Sequence, residues 1–390
     1  MKQPKHLNFL RDVFVLAATS FGGPQVHWAL FLKRLVQQKA YLTEEELFEI
    51  QALCSVLPGP TSTQMITAIG LKRGGATLAY LTLLVWITPA VFIMTAAAYG
   101  MTYLANRSIL QFVLPVGIGL ILQAGWVMAK KVIRSPMYVF IFLLTLAIGI
   151  AFSSPYIFPL VLVIGGIISS LNFKEFPRQN KHKMIIPWAN FHLYWGFLVG
   201  LAILGQLTDY FPIRLFENFY RNGSIVFGGG QVLAPVLYTE FVEFKGLIRS
   251  DDFLTGMALS QSLPGPVFAL TSYLGVLLMK DYGLFGELMG SMIGALGIFL
   301  PGTFLIFFVI RIWGQLKQYR FIRASLAGIQ AASVGLTFVA VYLFLDPIIK
   351  KSDYISIGIV IASFLIAQFT KLPTILMFAL GLLIGVVLNA

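Results

Sequence analysis

Charged residues are scarce in this chain of 390 residues: they make up 11% of the sequence, whereas hydrophobic residues make up 58%. A soluble domain has about 25% charged residues, so this much apolar surface cannot be buried in one water-facing core. The scarcity excludes an ordinary soluble domain and predicts an integral membrane protein that has the lipid bilayer as a partner. We assign the net charge of +12 to loops that orient the protein in the membrane, and not to contacts with nucleic acid.

Cysteine and histidine are also rare. The single cysteine, Cys54, excludes an internal disulfide framework and a multi-cysteine metal site, and the four histidines lack the spacing of metal ligands. Walker A, HExxH and GxSxG motifs are absent. We therefore predict no metal, no cofactor and no enzymatic activity. The alternative is a membrane-embedded enzyme acting on lipid, which would need paired carboxylates or a Ser/His pair on facing helices.

Apolar runs recur along the whole chain. A hydrocarbon core of about 30 Å needs roughly 20 apolar residues per helix. Thirteen windows qualify: 13–32, 47–71, 76–104, 108–129, 137–152, 155–171, 191–207, 218–239, 253–279, 284–311, 324–345, 355–370 and 372–389. Two of them, 137–152 and 155–171, are short, and those with glycine or proline clusters are expected to be half-helices. The sequence thus predicts an all-α protein with about 12 to 13 membrane segments, some of them broken or re-entrant.

The charges between the windows favour a cytoplasmic N-terminus in the plasma (inner) membrane. Basic residues cluster in the segments that this orientation places inside, namely 2–11, 72–73, 130–134 and 174–183. The bias is weaker in the second half of the chain. Its strongest basic loop is expected to contain Arg311, Lys317, Arg320 and Arg323.

Two copies of one sequence unit make up the chain. Residues 21–26 (FGGPQV) match residues 227–232 (FGGGQV) at an offset of 206, and residues 58–60 (PGP) match residues 264–266 (PGP) at the same offset. Thirteen of the forty positions from 21 to 60 are identical in the two copies. Further along, after small insertions, Pro89 pairs with Pro301. A duplication of this kind is typical of membrane transporters.

The duplication predicts three parts. They are an N-terminal repeat at 1–171, a polar linker with an extra membrane segment at 172–215, and a C-terminal repeat at 216–390. If six helices precede the linker, the extra segment inverts the second repeat, and inverted repeats place the substrate near the membrane midplane. A parallel repeat with a peripheral linker helix is the alternative. The sequence leaves the oligomeric state open, including a homodimer.

The two PGP triplets lie inside apolar windows, where they should break the helix. Each proline removes a backbone donor, and the freed carbonyls must find partners in protein or in a water-filled cavity. After the first triplet, Thr61, Ser62, Thr63 and Gln64 would open a new helix, and a helix N-terminus can bind an anion. The second triplet lacks these hydroxyls, so the first copy is expected to supply more of the ligands. Simple packing kinks are the alternative.

The two glycine clusters are a second pair of predicted breaks. Consecutive glycines let the backbone approach a ligand closely, and Gln25 and Gln231 could each donate to an oxyanion. Tight helix crossing through small residues is the alternative.

With these paired motifs the sequence resembles the long form of the chromate ion transporter family, in which two homologous copies are fused. FGGPQVHWALF and LPGPTSTQ look like the signature of the first copy, and FGGGQV and LPGPVF look like that of the second. The resemblance implies a plasma-membrane carrier that exports chromate, a tetrahedral dianion similar to sulfate, driven by an ion gradient. Sulfate or another inorganic anion is the alternative cargo, and a passive anion channel is the alternative mechanism.

The resemblance also implies a set of substrate-binding residues. Those carried over from the family motifs are Gly22, Gly23, Pro24, Gln25, Pro58, Gly59 and Pro60 in the first copy, and Gly228, Gly229, Gly230, Gln231, Pro264, Gly265 and Pro266 in the second. The helix-break argument adds Thr61, Ser62 and Gln64.

Overall fold

The computed structural model describes residues 3–21, 24–55, 57–103, 111–152, 154, 156–173, 188–227, 230–316, 319–370 and 372–389. These residues form sixteen α-helices and no β-strand. The all-α prediction is confirmed.

Each helix overlaps at least one of the predicted windows, although some begin several residues earlier. They are α1 (Gln3–Thr19), α2 (Pro24–Phe31), α3 (Glu44–Cys54), α4 (Thr61–Tyr103), α5 (Val113–Val132), α6 (Pro136–Ala151), α7 (Ile157–Leu171), α8 (Ala189–Thr208), α9 (Phe211–Ile225), α10 (Gly230–Tyr238), α11 (Ser250–Ser262), α12 (Leu270–Leu278), α13 (Gly283–Leu316), α14 (Arg320–Lys350), α15 (Tyr354–Phe369) and α16 (Thr374–Asn389). Helices end before, and new ones begin at or after, all four predicted breaks. The chain therefore contains broken helices, as the glycine and proline clusters indicated.

Five helical segments in the described part of the chain are long and apolar enough to cross a membrane. They are Thr61–Met101, Val113–Val132, Phe191–Thr208, Lys280–Trp313 and Arg320–Lys350. Helices α6 and α7 have 16 and 15 residues, so each spans only about 23 Å at 1.5 Å per residue. The extra segment predicted at 191–207 is α8.

The division predicted between the windows 47–71 and 76–104 is present inside α4. Gly74 and Gly75 leave helical geometry, and Trp86 donates to the hydroxyl of Thr63, 23 residues away, at 3.2 Å, so the chain folds back at these glycines.

One prediction about an individual segment is wrong. The expected basic loop is largely helical: Arg311 lies within α13, and Arg320 and Arg323 open α14. Lys317 lies outside the described residues.

The chain divides into two compact units that do not coincide with the two sequence repeats. Unit 1 contains Met1–Met101, Lys183–Ile225 and Leu263–Gly314, and unit 2 contains Thr102–His182, Val226–Ser262 and Gln315–Ala390. Each unit therefore takes segments from both repeats. The boundaries 1–171, 172–215 and 216–390 stay a prediction about the sequence repeats.

In unit 1, helices α4 and α13 lie side by side and run in opposite directions. The hydroxyl oxygens of Thr95 and Ser291 are 2.6 Å apart, and the rings of Tyr80 and Phe307 are 5.2 Å apart. As the residue number rises along α4, the number of its partner in α13 falls. Since α4 and α13 carry the matched prolines Pro89 and Pro301, equivalent helices of the two copies are antiparallel, as an inverted repeat requires.

In unit 2, helix α14 packs closely against α6 and α7. A side chain on Gly328 would overlap the backbone of Gly165, and one on Gly335 would come within 2.8 Å of Thr145. Ser169 also donates to the carbonyl oxygen of Ala324 at 2.7 Å. Small residues at helix crossings are typical of packing in membranes, where lipid supplies no hydrophobic force between helices.

Candidate functional site

The first proline break, residues 58–60, is a buried non-helical turn between α3 and α4. Gly59 has a φ of +114°, a conformation that side chains with a Cβ rarely adopt. Pro60 precedes the first residue of α4, and its carbonyl oxygen accepts the N–H of Gln64 at 2.9 Å. The N–H groups of residues 61–63 therefore open α4, where a helix leaves its first donors without an intrahelical acceptor.

The second proline break, residues 264–266, repeats this geometry between α11 and a 3₁₀ turn, Val267–Ala269, that leads into α12. Gly265 has a φ of +100°, and its N–H donates to the carbonyl oxygen of Ser20, just after α1, at 2.8 Å. Both breaks are buried in protein. They are not unbroken helix facing lipid.

Each proline break packs against the proline-containing helix of the other copy. A Cβ on Gly59 would lie 3.3 Å from the Cα of Gly302, and a Cβ on Gly265 would lie 2.9 Å from the Cβ of Ala90. Gly302 follows Pro301 directly, and Ala90 follows Pro89 directly. The packing is therefore reciprocal: the proline break of each copy contacts the residue that directly follows the helix proline of the other copy.

This reciprocal contact lies near the middle of the α4–α13 pair. The contacts of Tyr80 and Thr95 with α13 place that middle near residue 87 of α4 and residue 299 of α13. Ala90 and Gly302 are each three residues away, which is about 4.5 Å along a helix axis. The backbone of both copies is thus interrupted close to one level of unit 1.

Several buried polar groups around the breaks have no hydrogen-bond partner among the described residues. They are the hydroxyls of Ser20, Thr67 and Ser272, the side-chain oxygen Oε1 of Gln64, and Nδ1 of His27. Leaving a buried polar group unpaired costs about 1–3 kcal/mol, so such groups are rare in folded proteins. The breaks of unit 1 are therefore surrounded by buried polar side chains whose hydrogen-bonding capacity is not filled by the described residues.

Gln64 holds the two copies together at the first break. Its Nε2 donates to the carbonyl oxygen of Pro58 at 2.7 Å and lies 3.4 Å from the carbonyl oxygen of Gly302. Both of its N–H groups thus face backbone oxygens. One of these, the oxygen of Pro58, belongs to the break and has no helical N–H to accept. The sequence argument predicted that Gln64 donates to an oxyanion, whereas in this structure its donors face the protein.

The glycine breaks are only partly described. Gly22, Gly23, Gly228 and Gly229 lie outside the described residues, as do the side chains of Pro24, Gln25 and Gln231. The backbone shows that α2 begins at Pro24 and α10 at Gly230. The first glycine break belongs to unit 1 and the second to unit 2. Their predicted role in substrate binding stays a prediction.

Unit 1 contains a charged cluster around a buried carboxylate that the sequence motifs did not indicate. Asp12 is 5% exposed and accepts hydrogen bonds from the guanidinium of Arg34 at 2.7 Å and the hydroxyl of Tyr41 at 2.7 Å. Arg73 stacks over the ring of Tyr41 at 4.3 Å and donates to its carbonyl oxygen at 2.8 Å. Asp12 directly precedes an apolar window, and that position was the available signal for a buried carboxylate.

Unit 2 has a different ion pair at the equivalent place. Glu240, at the position that matches Arg34, is 1% exposed, and Lys245 donates to its carboxylate at 2.6 Å. Asn218 stands where the first copy has Asp12. The two copies therefore carry opposite charges at one repeat position.

Two cavities flank the α4–α13 pair at repeat-equivalent positions. One, of about 550 Å³, is lined by Glu49, Lys72, Arg311 and apolar residues, and the other, of about 500 Å³, is almost wholly apolar apart from Glu287 and a few hydroxyls. Lys72 donates to Glu46 at 2.9 Å, and this contact holds the pKa of Glu46 below its usual value. Neither of these two cavities is lined by a residue of the proline breaks.

The comparisons with known proteins match both copies. The sequence profile described as "Chromate transporter" matches residues 7–170 and again residues 213–386. An "uncharacterized transporter" of Methanocaldococcus jannaschii is 25% identical over 98% of this chain and 94% of its own length. A "probable chromate transport protein" of Synechococcus elongatus is 26% identical over 73% of this chain and 71% of its own.

A further relative, the "chromate transport protein" of Cupriavidus metallidurans, is 24% identical over 95% of this chain and 90% of its own length. No solved structure matches the chain. The profile covers most of the chain in two stretches, and the breaks described above fall within them. The chain therefore belongs to the chromate transporter family and is a multi-pass membrane protein with two repeats.

Proposed function

We propose that this protein exports chromate across the plasma membrane, driven by an ion gradient, with the N-terminus in the cytoplasm. The observation that carries the proposal is the reciprocal packing of two buried proline breaks near the middle of the α4–α13 pair. Family membership supports chromate as the cargo. Sulfate, which has the same charge and shape, is the alternative cargo.

The chemistry of the breaks suits a tetrahedral dianion. Removing a dianion from water is costly, so a site within a membrane must offer several convergent donors. The opening N–H groups of α4, at residues 61–63, and the hydroxyls of Ser62 and Thr67 are such donors. A helix N-terminus also carries roughly half a positive charge. With the 3₁₀ turn after the second break, two such ends come from opposite copies.

The role of Gln64 in this proposal differs from the one expected from sequence. With both N–H groups on backbone oxygens, Gln64 keeps the first break open and joined to α13. We therefore assign it to shaping the site, and assign the anion to the backbone donors and hydroxyls of α4.

The test is flux of radiolabelled chromate in proteoliposomes that contain the purified protein. Pro58→Ala and Pro264→Ala, singly and together, should restore backbone donors at the breaks and allow helix to continue through them. We expect the double variant to lose transport by at least about tenfold, since the helix ends that hold the anion would be disrupted. Pro347→Ala, in the last turns of α14 in unit 2, is the matched control for loss of a helix proline.

Full transport by the double variant would contradict the proposal. Competition by unlabelled sulfate measures how far the site distinguishes the two dianions. Uphill accumulation that disappears when the ion gradient is collapsed identifies a carrier, whereas flux that only follows the chromate gradient identifies a channel.

A further inference from the structure

His27 lies at the junction of the first glycine break and the second proline break. It is 1% exposed, and its Nε2 is 3.2 Å from the carbonyl oxygen of Ser20, the same oxygen that accepts the N–H of Gly265. The imidazole packs edge-on against the ring of Trp86 at 5.3 Å, and Trp86 in turn donates to the hydroxyl of Thr63 at 3.2 Å. His27 is therefore linked to the second break through Ser20 and to the start of α4 through Trp86.

The hydrogen bond of His27 fixes its tautomer. A carbonyl oxygen can only accept, so Nε2 must carry the hydrogen that points to Ser20. In the neutral ring Nδ1 is then a bare lone pair, and this buried atom has no donor among the described residues. A proton bound at Nδ1 would turn it into a charged donor, which would also lack an acceptor. The described protein groups therefore satisfy neither protonation state.

We infer that Nδ1 of His27 binds the proton that moves together with the oxyanion. The imidazolium offers a donor and a positive charge, and the dianion offers acceptors and a negative charge, so each raises the affinity for the other. The proton is taken from water on the loading side with the anion and returned to water from Nδ1 after release. This inference rests on the proposed function.

The proton also affects the direction of transport. A dianion that moves with one proton keeps a net charge of −1. A membrane potential that is negative inside drives such a complex outward. Export with one proton is therefore driven by the membrane potential acting on the net charge of −1, whereas the proton's own concentration gradient opposes export when the cytoplasm is the more alkaline side.

Within the part of the chain that the structure describes, no titratable side chain hydrogen-bonds to His27 or stacks on it. The groups that face it from the neighbouring elements are the carbonyl of Ser20 and the rings of Phe31 and Trp86, none of which titrates near neutral pH. On α1, Asp12 is eight residues from Ser20 and is paired with Arg34. On α4, Arg73 directly precedes the non-helical Gly74 and is engaged by Tyr41.

The second copy offers a natural control, because Leu233 stands at the position that matches His27. The first copy alone thus carries an imidazole at this place, which predicts one proton per transport cycle. His27→Leu copies the second repeat, and His27→Gln keeps an N–H that can reach Ser20 but does not titrate.

The test uses sulfate, which stays doubly charged from pH 5.5 to 8.5, whereas chromate itself takes up a proton near neutrality. Thermal-shift titrations of the purified wild type should show that sulfate binds about tenfold more tightly at pH 6 than at pH 8. In proteoliposomes with a trapped pH dye, sulfate uptake by the wild type should acidify the lumen. His27→Gln should bind sulfate with less than about twofold dependence on pH and should not acidify the lumen. His192→Gln, in α8, is the histidine-loss control and should behave as the wild type.

The inference would be overturned if sulfate binding by the wild type did not depend on pH, or if His27→Gln acidified the lumen at the wild-type rate. The binding titration of the wild type decides the question even if the His27 variants fail to fold. If the wild type moves neither chromate nor sulfate, the proposed function itself fails. If it moves them without protons, only the role of His27 fails.

Discussion

The two copies of the repeat have the same backbone and different chemistry. A π-helical turn follows α2 at Leu32–Gln38 and follows α10 at Thr239–Phe244. Matched residues also have positive φ: Ala40 and Gly246, and Gly59 and Gly265. Gly75 in the kink of α4 and Gly283 at the start of α13 have nearly the same φ and ψ. The breaks and bends of the first copy are therefore retained in the second, although most side chains differ.

The polar side chains show how far the copies have diverged. The first copy follows its proline break with Thr, Ser, Thr and Gln, whereas the second continues with Val, Phe, Ala and Leu. The pair of the buried Asp12 with Arg34 corresponds to Asn218 and Glu240 in the second copy. A duplicated backbone with one polar break allows a single asymmetric site, so that each copy need not bind its own anion. The following variants test this division, from the largest expected effect to the smallest.

Gly265→Ala should have the largest effect. The new Cβ would meet Ala90 at 2.9 Å in a backbone conformation with a φ of +100°, and such strain together with the overlap should cost about 3 kcal/mol. We expect a lower melting temperature in detergent and loss of transport. Adding Ala90→Gly, which copies Gly302 of the other repeat, should recover part of the melting temperature. No recovery would mean that the contact with Ala90 is not what resists a side chain here.

Asp12→Ala should have the next largest effect. Removing the carboxylate leaves Arg34 and Tyr41 without their shared acceptor, and because Arg34 is one-third exposed we expect a loss of about 2 kcal/mol in the free energy of unfolding. Asp12→Asn, which copies Asn218, should lose about half as much since it still accepts from Tyr41. Unfolding in mixtures of detergent and SDS measures both. Equal losses for the two variants would argue against this account.

Gln64→Leu copies Leu270, the residue at the matching position of the second copy. It removes the donors that satisfy Pro58 and face Gly302, so we expect a loss of about 1–2 kcal/mol in stability and a fall in the maximal transport rate of about tenfold. Gln64→Glu should not restore the wild-type rate, because a carboxylate cannot donate to either carbonyl. Wild-type transport by Gln64→Leu would show that the first break functions with leucine at this position, as the second copy has it.

Thr67→Val should have the smallest effect on stability. The hydroxyl of Thr67 has no partner among the described residues, so its removal should change the free energy of unfolding by less than about 0.5 kcal/mol. If it donates to the anion, the KM for chromate should rise about fivefold. Thr271→Val is the control, since that hydroxyl lies within 2.9 Å of the carbonyl oxygens of Phe268 and Gly294. There we expect lower stability and an unchanged KM.

Local sequence patterns predicted much of the fold. Proline and glycine interrupt a helix wherever they cluster, so the four breaks could be located from residues 21–25, 58–60, 227–231 and 264–266 alone. The duplication was visible because the same breaks recur at one offset. The π-helical turns could not be predicted, since nothing in LKRLVQQ or TEFVEF distinguishes them from ordinary helix.

The candidate site was predictable only in part. Sequence singled out the breaks and the residues that follow them, and it favoured a hydrogen-bonded, structural role for His27. It did not give the protein neighbours of Gln64, and it passed over Ser20 and Thr67. Which groups a buried side chain meets depends on residues more than 200 positions away, such as Gly302 beside Gln64 and Gly265 beside Ser20.

The sequence by itself determined that the chain is embedded in lipid and where its helices break, because hydropathy and backbone freedom are properties of short segments. It also determined the duplication, because the same motifs recur at one offset. Tertiary structure decided for the inverted repeat over the parallel one, both of which the sequence allowed. It alone decided that each break packs on the other copy, and that certain buried donors and acceptors have no partner among the described residues. Those outcomes depend on distances between segments far apart in the chain, and no local pattern encodes them.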